Sequence, residues 1–149
     1  MRLSTNFKLN EFYNPIDHGT TWRSRTWAQR VITARPTPPA PELVAILQLI
    51  RDTVNRPVRI TSGVRSEARN RAVGGSNSSG HMSGSSADIQ VISMPRMRDI
   101  PPREVGTIIR DLFNRGLLQN LAFSYIGGSF VHIGVDSEVP RNSIWGAGY

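Results

Sequence analysis

The clearest periodicity in the chain begins at Pro41. Leu43, Ile46, Leu47, Ile50 and Val54 recur at helical spacing behind a proline suited to a first helical position, which predicts an amphipathic core helix over Pro41–Val54. The period then changes. Pro57-Val58-Arg59-Ile60-Thr61 is alternating and β-branched and predicts a strand that ends at Ser62-Gly63. Ser66 can cap a short helix through Val73, stopped by Gly74-Gly75. Residues 76–86 read as a Gly/Ser loop interrupted by one histidine, and residues 87–92 as a second strand. After a loop carrying Pro95, Pro101 and Pro102, a second amphipathic helix shows Val105, Ile108, Ile109, Leu112 and Phe113 and closes at Gly116. Two strands follow over 122–126 and 130–135, joined by Gly127-Gly128, a hairpin signal.

The flanking segments are less regular. Leu9-Asn10-Glu11-Phe12 predicts one helical turn within an opening element, and residues 14–40, polar and finally proline-rich, predict a long wrapping loop that lines a cleft. The tail from 140 to 149 is Gly-rich with one Trp. The order helix, strand, helix, strand, helix, hairpin predicts an α+β fold in which helices cover one face of a small, largely antiparallel sheet and leave the other face open for a site. With 149 residues, the chain is expected to form one domain over 1–149.

Composition narrows the chemistry. At 38% hydrophobic and 19% charged residues the chain is that of a folded protein, which excludes disorder as its main state. There is no Cys, so disulfide scaffolds, iron–sulfur clusters and thiol nucleophiles are excluded, and any metal must use His, Asp or Glu. The formal charge of +7 suits an anionic partner such as nucleic acid, a bacterial wall or a membrane surface. The arginines are scattered, with no basic helix and no aromatic–basic interleaving, so no specific nucleic-acid partner is expected. No run approaches the roughly 18 to 20 apolar residues of a membrane span, so no transmembrane segment is expected. The start Met1-Arg2-Leu3-Ser4-Thr5-Asn6-Phe7 has no apolar signal core, so synthesis in the cytoplasm without a signal peptide is expected.

The chain has three His, and two of them adjoin structure that would aim them. His81 lies in the Gly/Ser loop, Asp88 opens the next strand, and His132 is central in the last strand, where Phe130 and Gly134 share its face. Two imidazoles and a carboxylate are a standard shell for a catalytic zinc with one position left for water. A turn at Gly84 lets the loop ligand and the strand ligands converge. Taken singly, a loop His also suits a surface position, a strand-start Asp a turn cap and a strand His a core. The three are spaced too widely to form a short metal signature.

Ser62-Gly63-Val64-Arg65-Ser66, Asn70-Arg71-Ala72-Val73-Gly74-Gly75, Ser79-Gly80-His81-Met82-Ser83-Gly84, Ala87-Asp88-Ile89 and Ser129-Phe130-Val131-His132-Ile133 occur in this order. Together they closely resemble the zinc D-Ala-D-Ala carboxypeptidase family and its short phage endolysin-like members. The opening Leu3 to Phe12 is similar to the start of those short members, and the span 14–39 is the part least covered. The resemblance implies a hedgehog-type zinc peptidase fold, with His81, Asp88 and His132 as Zn2+ ligands and Arg65 in the cleft holding a substrate carbonyl or carboxylate. A guanidinium suits that role because it offers planar, bidentate donors and stays charged. The alternative for Arg65 is a structural ion pair with a nearby acid.

The chain departs from the family pattern at three positions: Gly80 stands where Gln is common, Ser129 where many members carry the acidic general base, and Gly134 where many short members carry Asp. The base is then expected at Asp136, with His18 and Glu138 as alternatives, provided that Gly134 bends the strand. The implied activity is hydrolysis of an amide bond in a peptidoglycan stem or cross-link peptide, of D,D-carboxypeptidase or L,D/D,D-endopeptidase type. A cell-wall peptidase without a signal peptide suggests phage-encoded lysis or penetration, with release through a lytic pore or, alternatively, virion association. The alternative is a non-catalytic, zinc-containing virion or wall-binding protein.

Overall fold

The computed structural model describes residues 2–13, 37–65, 67–75, 79–92, 98–136 and 143–149. Leu9–Phe12 forms a 3-10 turn that buries Phe12. Helix α1 spans Pro41–Val54, as the periodicity predicts, and ends at Asn55, whose left-handed backbone breaks the helix. Strand β1 (Val58–Ser62), helix α2 (Glu67–Ala72), helix α3 (Gly80–Ser83) and strand β2 (Ser86–Val91) follow. Helix α4 (Pro102–Asn114) leads to the hairpin β3 (Phe123–Ile126) and β4 (Val131–Gly134). Most of the wrapping loop predicted from 14 to 40, the predicted cap Ser66 and the candidate bases His18 and Glu138 lie outside the described residues.

The four strands form one sheet in the order β1-β2-β4-β3, antiparallel throughout. The fold is therefore α+β, as the element order predicts. Strand alternation divides the side chains between two faces. Ile60, Ile89 and Val131 share one row of partners, and Ala87 pairs with Ile133. Ala87, Ile89, Val131 and Ile133 join Leu43, Leu47, Ile50, Val105, Ile109 and Leu112 from α1 and α4 in one buried cluster, against which Ile60 packs. At about 25 cal/mol per Å² of apolar surface removed from water, this face supplies most of the drive for folding. Its stiffness fixes the opposite face, where the polar row Ser62, Asp88, His132, Tyr125 runs across all four strands in register.

The structure corrects the sequence reading in two places. Residues 80–83 are a turn of helix, not loop. The second is the tail, for which the sequence predicts no element: its described part, 143–149, runs beside β3, with a parallel bridge between Ser124 and Trp145.

Candidate metal centre

His81 sits on the four-residue helix α3, which starts because Ser79 Oγ accepts the His81 backbone N–H at 3.2 Å. It ends at Gly84, whose φ of +78° and N–H donation to Gly80 O reverse the chain into β2. Only glycine fits there, because a Cβ would stand 2.3 Å from the Pro38 carbonyl oxygen. Four residues after this reversal, Asp88 points to the open face of the sheet and lies opposite His132 on β4.

The three side chains converge. His132 Nδ1 is 2.9 Å from Asp88 Oδ1, His81 Nε2 is 3.4 Å from the same oxygen, and the two imidazoles meet edge to face at 5.1 Å. Exposures of 3%, 6% and 2% for His81, Asp88 and His132 place all three out of bulk water. His81 Nδ1 is 2.8 Å from the Gly63 carbonyl oxygen, which can only accept, so Nδ1 carries a hydrogen and Nε2 is the atom turned toward Asp88. A ring nitrogen lone pair and a carboxylate oxygen at that separation repel unless a proton or a cation lies between them. Burial would raise the Asp88 pKa, but the hydrogen bond from His132 and the interaction with both imidazoles when these are protonated more than reverse this and hold it at about 2. The carboxylate is thus ionised at any ordinary pH.

Two imidazole nitrogens and one carboxylate oxygen, buried and all within 4.8 Å of one another, fit a zinc ion. The Gly63 carbonyl is the outer partner that orients His81 for such a role. Sequence reasoning named all three residues of this group but missed the rings that enclose His132. Tyr125 stacks on it with centroids 4.7 Å apart and planes 14° apart, and Phe123 lies 5.9 Å away.

Arg65 stands next to this group, its backbone N–H bonded to His81 O at 2.8 Å. Its guanidinium donates to Asn70 Oδ1 at 3.0 Å and to Ser62 Oγ at 3.2 Å, while its buried Nε has no partner. Among the described residues it forms no ion pair, so its charge is not neutralised by a neighbouring acid. Asp136 lies two residues past the end of β4. The ladder continues through Gly134 to Val135, whose N–H donates to Ser85 O, and the chain bends at Val135 and Asp136. Asp136 is exposed there, lining a cavity with Ala40, Glu42, Ser85 and Asn120, and is not one of the grouped donors. Ser129 is exposed as well, and its carbonyl accepts from Gln90 Nε2 at 2.8 Å.

A family model described as Peptidase M15 matches residues 14–112. The matched span holds Arg65, His81 and Asp88, whereas His132 lies beyond its end. No curated protein and no solved structure matches the chain.

Proposed function

Because the chain belongs to the peptidase M15 family, whose members are zinc-dependent metallopeptidases, we propose that it hydrolyses an amide bond in bacterial peptidoglycan peptides. The observation that carries this reading is the meeting of His81 Nε2, Asp88 Oδ1 and His132 Nδ1 in one buried group beside an arginine that forms no ion pair among the described residues. His81, Asp88 and His132 would hold the zinc, which when bound would supply Lewis acidity to a scissile carbonyl and lower the pKa of a water. Asp88 contributes the negative charge of the donor set, and the two histidines bind as neutral imidazoles. Arg65 receives the substrate carbonyl or terminal carboxylate through a planar pair of donors, so the peptide is oriented before reaction. Asn70 and Ser62 hold the guanidinium without neutralising it.

The finer assignment, D,D-carboxypeptidase or L,D/D,D-endopeptidase action by a phage-encoded lysis or penetration enzyme, rests on the sequence resemblance and the positive charge. One observation favours a second reading, a zinc-containing protein that binds wall peptides without cleaving them: Ser129, exposed, stands where many family members carry the acidic base. Mass spectrometry of purified peptidoglycan incubated with the zinc-loaded protein separates the two. New stem-peptide fragments establish the enzyme and identify the bond. Retention of the protein on peptidoglycan without any fragment establishes the binding protein.

A further inference from the structure

We infer that Tyr125 is a positioning residue for His132, and that the C-terminal segment 143–149 is the element that holds Tyr125 in place. This inference rests on the metal-site reading above and concerns residues outside the span that the family model matches.

The lone pair of an imidazole nitrogen lies in the plane of its ring, so the tilt of the His132 ring decides where Nδ1 points. Strand β4 fixes the His132 backbone but not that tilt. The flat stack of Tyr125, with planes 14° apart, supplies the second restraint. It arises from register, because Tyr125 is the cross-strand partner of His132, which in turn is the partner of Asp88.

Strand β3, which carries Tyr125, is only four residues long and is the last strand in the sheet order, where a ladder is most prone to open. The C-terminal segment pairs with its outer side. Ser124 N–H donates to Ile144 O, Gly146 N–H to Ser124 O and Ile126 N–H to Ala147 O, at 2.8 to 2.9 Å. Tyr149 adds a hydroxyl contact of 2.8 Å to Ser124 Oγ, next to Tyr125 in sequence. Arg110 of α4 anchors the segment from below, its guanidinium carbon 5.0 Å from the ring centres of both Trp145 and Tyr149. Gly146 packs against the side chains of Phe123 and Tyr125. A Cβ on it would lie 2.6 Å from Phe123 Cζ and 3.1 Å from Tyr125 Cβ, so any side chain there pushes on the rings that flank His132.

The test measures zinc affinity by competition with a chromophoric chelator, and ligand geometry by the visible spectrum of the cobalt-substituted protein. Tyr125→Ala is expected to bind zinc about 10- to 100-fold more weakly with an altered cobalt spectrum, the usual effect of losing an outer partner of a ligand, and Tyr125→Phe to restore both. A folded Tyr125→Ala that binds zinc within threefold of the unmodified chain, with the same cobalt spectrum, overturns the inference. Should Tyr125→Ala not fold, Gly146→Ala decides: a shifted cobalt spectrum in the folded variant supports the inference, and an unchanged one overturns it. If the unmodified chain binds no zinc, the metal-site reading fails and this inference with it, an outcome distinct from normal binding by both variants.

Discussion

Replacing Asp88 with asparagine keeps the shape of the side chain and removes the charge against which two imidazoles are set. Asn can still accept from His132 Nδ1 through its carbonyl oxygen, so the change isolates the ionic part of the interaction. The Asp88 pKa falls from the ordinary 3.8 to about 2, against a burial that by itself would raise it. At about 1.4 kcal/mol per pH unit, that difference makes the ionised carboxylate worth about 2 kcal/mol of folding stability in the metal-free chain. With only 6% of the residue exposed, little of this is lost to solvent screening. The sign follows from a folded pKa that lies below the unfolded one. The stabilisation is complete above about pH 4 and is lost as the pH falls through about 2. Metal-free Asp88→Asn should therefore melt roughly 4 to 8 °C below the unmodified chain at pH 7. The gap should close as both are acidified. Thermal denaturation followed by circular dichroism, in the presence of a chelator and from pH 7 to 2.5, measures both. Equal melting temperatures at pH 7, or a gap that stays constant down to pH 2.5, would refute the reasoning.

Three further outcomes are expected. Elemental analysis of protein purified without chelator should find about one zinc per chain, abolished by His81→Ala or by Asp88→Ala; absence of zinc from the unmodified chain would remove the basis for a metallopeptidase mechanism. Arg65→Lys should fold and bind zinc normally but lose most peptide affinity and rate, since an ammonium cannot reproduce two planar donors; a large drop in melting temperature would instead make Arg65 a structural residue. With Asp136 exposed beside Glu42 and Asn120, Asp136→Asn should keep its zinc and lose less than about tenfold in kcat, whereas a loss of two to four orders of magnitude would place the general base there.

Much of this arrangement is legible in the sequence because its signals are periodic. The apolar stripes of α1 and α4 and the alternation of β1 and β2 follow directly from the burial of one face. The grouping of His81, Asp88 and His132 is legible for a different reason: the family resemblance implies it, while composition and spacing alone leave it open. Helix α3 was missed because four residues are too few to reveal a period, although Ser79 before His81 and Gly84 after it were available as cap signals. The pairing of the tail with β3 was missed because Gly-rich sequence carries no alternation. The stack of Tyr125 on His132 depends on strand register, which a hairpin signal alone does not set. Extrapolating a straight strand put Asp136 about 13 Å beyond His132. A bend at Gly134 was needed to return it; the ladder runs on to Val135, and the chain bends at Val135 and Asp136.

The pairing of Asp88 with His132 also bears on how the chain reaches its native state. Side chains alternate along β4, so a slip of one residue against β2 would turn Val131 and Ile133 to the open face and drive His132 into the apolar core. Such a misfolded species would keep the same helices and the same number of strands, and secondary-structure probes would scarcely distinguish it. It would nonetheless have no third donor. A metal that binds only the correct alignment draws the population toward that alignment by mass action, so zinc present during refolding acts as a selector of strand register.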